Sequence, residues 1–259
     1  MNWRRGVVLK SPEEIEIMRQ AGRINALALQ AVRQAIRPGV TTLELDAIAE
    51  QVIRDHGGVP AFKGYPGPYP YPATLTISIN EALVHGIPDG RELRPGDIVS
   101  VDCGTVYQGF VGDSAFTVGV GEISPEAQRL IEVTEKALYI GIEQMVAGKR
   151  LGDVSAAIQR YVEKHGYHVP REYTGHGVGR QMHEAPQVPN YGRAGTGMVI
   201  QPGLTVALEP MVLVGTHRTR VLSDQWTVVS YDGSLTAHFE HTVAVTADGP
   251  LILTKADEK

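Results

Sequence analysis

The sequence predicts an α+β fold, an antiparallel sheet covered by helices and built from two similar halves. Three observations lead there. Four helix signals come in two pairs, strand-forming runs follow each pair rather than alternating with single helices, and the pairs share one spacing pattern. The expected unit is a single domain over 1–259, with pseudo-repeats at about 11–120 and 121–253.

The first helix opens at Ser11-Pro12-Glu13-Glu14, a capping box with proline at the first helical position. Ile15, Met18, Gly22, Asn25, Leu29, Val32 and Ile36 then recur at helical spacing until Pro38-Gly39 ends the run. A second helix starts near Thr41 or Thr42, buries Leu45, Ile48 and Val52, and stops at His56-Gly57-Gly58. The segment 65–72 has proline at every second position and is expected as a stiff, partly polyproline surface loop. A third helix runs from Ser124-Pro125-Glu126 to about Val146, and a fourth from about Asp153 to Lys164. Strands are expected over 74–80, 98–102, 109–120, 204–209, 225–229 and 236–246, all rich in β-branched residues and bounded by Gly, Pro or Asp. The tail after Leu253 is expected to fray.

The repeat ties these elements together. Gly39, Leu45, Ile48, Val52 and His56-Gly57 align with Gly148, Val154, Ala157, Tyr161 and His165-Gly166 at an offset of 109. The strand Arg94-Pro95-Gly96-Asp97-Ile98-Val99-Ser100-Val101-Asp102 aligns with Gln201-Pro202-Gly203-Leu204-Thr205-Val206-Ala207-Leu208-Glu209 at an offset of 107. Both matches in the same order indicate internal duplication. Each copy ends its strand in a carboxylate, Asp102 or Glu209, and an approximate two-fold axis would bring the two together.

Composition narrows the function classes. Apolar residues make up 42% and the formal charge is −5, as in a protein with a real core and no basic block for nucleic acid or a membrane surface. Residues 1–10 hold only the brief apolar run Val7-Val8-Leu9, too short for a signal-peptide core, and no stretch approaches a membrane span. A single cysteine, Cys103, excludes an internal disulfide and a cysteine-cage zinc site. A cytoplasmic location is expected.

The chemistry is carried by acids placed where acids are disfavoured. Asp102, Asp113, Glu209 and Glu240 all sit within or at the end of apolar strands. Period two places His238 with Glu240 and Ser100 with Asp102 on shared faces. One such acid could face water or pair with a Lys or Arg; four together repel unless cations compensate. Histidine comes from Gly175-His176-Gly177-Val178-Gly179-Arg180-Gln181-Met182-His183-Glu184, and glycines flanking His176 allow close backbone approach. Carboxylates with imidazole suit Mn, Fe, Co or Zn better than Mg alone. His85 by itself reads as a turn histidine, and Cys103 as a small buried residue.

Six motifs then acquire a joint meaning: Asn80-Glu-x-x-x-His85-Gly-Ile-Pro88, Val101-Asp-Cys-Gly104, Gly112-Asp-Ser114, Gly175-His-Gly-x-Gly-x-x-x-His-Glu184, Leu208-Glu-Pro-Met211 and Phe239-Glu-His-Thr242. In this order the set resembles the type I methionine aminopeptidases, within the wider group of pita-bread metallohydrolases. The resemblance implies the pseudo-two-fold pita-bread fold and a hydrolase that removes the N-terminal methionine from nascent polypeptides, preferring a small second residue. It implies two divalent metal ions held by Asp102, Asp113, His176, Glu209 and Glu240, with Asp113 and Glu240 shared between them. Glu209 matches the general base, and His85 and His183 match substrate-contacting catalytic histidines. Phe62, Tyr65, Thr76, Met182 and Trp226 fall where the family lines its methionine pocket. Met182 and Thr76 replace an aromatic residue and a cysteine common in the family, and loop 65–72 is longer than usual. Nascent-chain N-termini are the implied partners, with transient ribosome contact and a monomeric state. An Xaa-Pro peptidase of the same fold and a catalytically inactive pita-bread protein-binding module are the competing readings.

Overall fold

The structure is a computed structural model and describes residues 6–256. The first five residues of the N-terminal segment considered above and the last three residues of the tail lie outside the described residues. Within them are four helices, α1 (Pro12–Ala35), α2 (Thr42–Asp55), α3 (Pro125–Ile142) and α4 (Leu151–Lys164). The strands of the first half are β1 (Val59–Pro60), β2 (Leu75–Ile79), β3 (Ala82–Val84), β4 (Ile98–Tyr107) and β5 (Phe110–Gly119). The second half adds β6 (Gly175–Gly177), β7 (Glu184–Val188), β8 (Thr205–Leu208), β9 (Met211–Leu213), β10 (Thr219–Val221) and β11 (Val228–Ser230). It ends with β12 (Thr236–His238), β13 (Glu240–Thr246) and β14 (Gly249–Ile252).

The helix starts follow from their caps. Ser11 and Thr41 each accept a hydrogen bond from the backbone of the third helical residue, while Glu14 and Glu44 reach back to the cap N–H. The fourth helix begins two residues earlier than the sequence suggested, because the Asp153 carboxylate accepts from the Arg150 N–H at 2.9 Å and so serves as the third helical residue, not the first. The third helix stops at Ile142, short of Val146, where Gln144 and Met145 tighten to bonds with carbonyls three residues back.

The second helix of each pair has the same length and the same C-terminal contact. Helices α2 and α4 have equal length, 14 residues, and are related by the offset of 109. His56 and His165, which cap them, each set Nδ1 2.8 Å from the carbonyl four residues back. The main sheet runs β1-β4-β5-β13-β8-β6-β7, with β2 on β4 and β14 on β13, and its pairs are antiparallel. First-half and second-half strands meet where Glu240 and His241 of β13 pair with Ala115 and Ser114 of β5. The helices pack on one side of this sheet through a core that includes Leu45, Ile53, Leu130, Leu138 and Ile158, all buried.

Contact between α1 and the sheet is close enough to need two glycines. A β-carbon on Gly112 of β5 would stand 2.6 Å from the backbone of Gly22 in α1. Beside them, buried Asn25 donates to the carbonyls of Cys103 and Gly112 and accepts from the Ser114 hydroxyl. One helical side chain thus fixes the backs of both strands that carry Asp102 and Asp113.

Three further expectations change. The strand expected over 225–229 starts only at Val228, because the Asp224 carboxylate accepts from the N–H groups of Trp226 and Thr227 and makes a turn there. The strand expected over 236–246 breaks at Phe239, which leaves β12 on β9 and β13 on β5 and β8. The tail does not fray directly after Leu253. Thr254 is buried, and its hydroxyl accepts from the Thr242 N–H and bonds His241 Nδ1.

Candidate metal centre

Strand geometry converges the acids. Asp102 and Asp113 lie on paired strands β4 and β5, and Ala115 of β5 is register partner to both Asp102 and Glu240. Glu209 follows β8 directly, and His176 of β6 pairs with Ala207 of β8. The flanking glycines explain how His176 reaches inward: a β-carbon at Gly175 would stand 2.6 Å from the Ala207 carbonyl, and one at Gly177 2.3 Å from that of Ala185. His176 Nε2 lies 3.5 Å from Glu209 and 3.8 Å from Asp113. Ligand atoms of Asp113, His176 and Glu240 all fall within 4.8 Å of one another.

These five residues line one cavity of about 140 Å³, room for a single side chain. Phe62, Tyr65, Thr76, His85, His183 and Trp226 complete its wall, and so does Tyr71. Met182 lies one layer back. It is buried, and a β-carbon at Gly104 would meet its methyl group and the Phe62 ring. A wider surface groove of about 610 Å³ between α3 and α4 is lined by Lys149, Arg160 and Lys164 and shares no residue with the acid cluster.

Two residues escaped the sequence reading. Tyr71 belongs to the proline-rich loop expected at the surface, yet it is buried, donating to the carbonyls of Gly86 and Leu75 and meeting Trp226 edge to face. Alternation of proline and tyrosine gave no signal for which ring turns inward. His238 is buried with Nε2 3.7 Å from Glu209 and 3.7 Å from Glu240. Its shared face with Glu240 was legible, but its place in the cluster was not.

Electrostatics set the chemical character. Burial pushes Asp113 up to about 7, and burial with mutual repulsion raises Asp102, Glu209 and Glu240 well above the carboxylate range. Burial drives the imidazoles the other way, His176 and His85 to about 4 and His238 to about 3. Neutral imidazole beside acids that cannot all ionise together is the donor set of a cation site. Unpaired atoms make the same point: Asp102 Oδ1, Asp113 Oδ1, Glu240 Oε1 and His238 Nε2 are buried with no hydrogen-bond partner. The residues therefore fit divalent metal. Cys103 is fully buried and burial raises its thiol, which leaves it un-ionised and unsuited to nucleophilic work.

His85 adds a strained backbone, with φ at +61° although it is not glycine. Its ring packs edge to face against Tyr173 and Trp226. His183 stands at the cavity mouth, 4.3 Å from the His176 ring centre.

The profile of metallopeptidase family M24 matches residues 16–247. A methionine aminopeptidase of Clostridium perfringens is 49% identical over 96% of this chain and 98% of its own length. The crystal structure of a methionine aminopeptidase from Thermotoga maritima superposes with a TM-score of 0.94 at 47% identity, covering 96% of this chain and 99% of that one. An Xaa-Pro dipeptidase from Bacillus anthracis shares the fold at a TM-score of 0.76 and 26% identity, but this chain covers only 63% of it.

Proposed function

This chain belongs to metallopeptidase family M24, and we propose that it is a methionine aminopeptidase that removes the first methionine from nascent polypeptides. Near-complete alignment with methionine aminopeptidases, joined to a buried acid and histidine cluster beside an aromatic cavity, carries this reading. The shorter match to the Xaa-Pro enzyme disfavours the alternative.

Asp102, Asp113, His176, Glu209 and Glu240 would hold two divalent cations, with Mn, Fe, Co and Zn all compatible with the donors. When bound, such ions supply charge compensation and acidify water towards neutrality. Glu209 takes the proton of the attacking water and returns it to the leaving amine. His183, neutral at the cavity mouth, donates to the oxygen that gains charge as the carbonyl becomes tetrahedral. His85, held by Tyr173 and Trp226, donates to the scissile amide. Phe62, Tyr65, Tyr71 and Trp226 offer ring edges and faces to a thioether, with Thr76 at the cavity wall. A small second residue follows from the family reading. So do work in the cytoplasm, a monomeric state and transient contact with ribosomes.

The test is cleavage of Met-Ala-Ser after chelation, and again after separate addition of Mn, Fe, Co or Zn. Activity lost with chelation and restored by one or more ions is expected. Indifference to chelation, or preferential cleavage of Xaa-Pro peptides, refutes the reading.

A further inference from the structure

We propose that Tyr65 is a positioning residue that sets the tautomer of His183, so that this histidine points an N–H into the cavity while its neighbour His176 points a lone pair. The observation is a pair of outer contacts on two adjacent imidazoles. His176 Nδ1 lies 3.0 Å from the Gly177 carbonyl oxygen, which only accepts; Nδ1 therefore carries the proton and Nε2 is a free lone pair facing Glu209 and Asp113. His183 Nδ1 lies 2.6 Å from the Tyr65 hydroxyl, with the two rings edge to face at 5.3 Å.

A hydroxyl can donate or accept, so chemistry decides the direction. A phenol is a stronger acid than a neutral imidazole N–H, and imidazole nitrogen is a stronger acceptor than phenol oxygen. The Tyr65 O–H accordingly donates to Nδ1, and the proton of His183 resides on Nε2. Two rings with centres 4.3 Å apart thus present opposite faces to the same cavity, one as ligand and one as donor. A donor already directed at the site needs no reorganisation when charge develops there. The proline-rich loop gains a task from this: it brings in a ring whose hydroxyl orients a histidine from a different half of the chain.

The inference rests on the donor role given to His183 above, and the test separates the two. In the zinc-loaded protein, nitrogen-15 NMR of the histidine rings should show His183 protonated at Nε2 and His176 at Nδ1. Tyr65→Phe keeps the ring and loses the hydroxyl; His183 should then become a mixture of tautomers while His176 is unchanged. On Met-Ala-Ser the same variant should lose roughly 10–100-fold in kcat, the range typical for outer partners of site histidines, with KM nearly constant. In a His183→Ala background, Tyr65→Phe should have no further effect. His183 protonated at Nδ1 in the unsubstituted protein overturns the proposal without any variant. So does an equal Tyr65→Phe loss in the His183→Ala background, which would make the tyrosine a pocket wall only. A wild-type protein inactive on Met-Ala-Ser would instead refute the peptidase reading, and the NMR result would still decide the tautomer.

Discussion

The hydroxyl of Thr242 holds the backbone of Asp113 at both ends: it accepts from the Asp113 N–H at 2.9 Å and donates to the Asp113 carbonyl at 2.8 Å. One side chain from the last long strand therefore pins an acid of the opposite half. Thr242→Val keeps the shape and leaves both buried backbone groups unpaired. We expect a loss of ~1–3 kcal/mol of stability and weaker cation binding, read by denaturant unfolding and by manganese titration calorimetry. Unaltered stability would show that the clasp contributes nothing.

The raised carboxylates make the cation-free protein sensitive to base. Because the folded pKa of Asp113 is about 7, and those of Asp102, Glu209 and Glu240 are also raised, the folded state keeps protons that the unfolded chain releases near the ordinary carboxylate range. Their contribution to stability is full below the unfolded pKa and is lost as pH rises through the folded one. His85, His176 and His238 have lowered folded values and oppose this trend, but only up to their ordinary range near 6.5. From about pH 6.5 up through the Asp113 value of about 7 the carboxylates act alone among these groups. The melting temperature of the chelated protein should fall over that interval. Saturating manganese should flatten the slope, and Glu240→Gln should reduce it; a slope unchanged by both would count against the shared cluster.

His85→Ala should leave cation binding and the fold intact while removing a donor to the substrate. The barrier should rise by about 2.7–4 kcal/mol, the usual cost of one such donor. Turnover of Met-Ala-Ser measures this directly, and full turnover would remove His85 from the mechanism.

His238 contacts Glu209 and Glu240 from behind without being one of the proposed ligands. His238→Ala is expected to lower cation affinity roughly 10–100-fold, as loss of an outer partner of a ligand does. Calorimetric titration of the chelated variant tests it, and an unchanged affinity would reduce the residue to core packing.

Legibility in the sequence followed the strength of local rules. Capping chemistry placed the starts of α1 and α2 within a residue, since Ser11 with Glu14 and Thr41 with Glu44 make defined hydrogen bonds. The repeat offset was legible because helix length and stop signals are local, and α2 and α4 keep both. Short strands such as β3, β6 and β9 escaped, because three residues carry no period and pairing partners far away in sequence define them. The acids stood out for a simple reason, that charge inside an apolar strand is costly. Tyr71 and His238 were missed as members of the site because their roles depend on tertiary neighbours, Trp226 for one and the two glutamates for the other.

The seam between β5 and β13 has a consequence for synthesis. Its far side supplies Glu240, so a chain still emerging from its own template holds only part of the cluster until that late segment is out and paired. The first half carries Asp102 and Asp113 without the other proposed ligands, His176, Glu209 and Glu240. The cluster is therefore a property of the paired halves, and a fragment that stops before Glu240 lacks the full set of residues proposed to hold the cations.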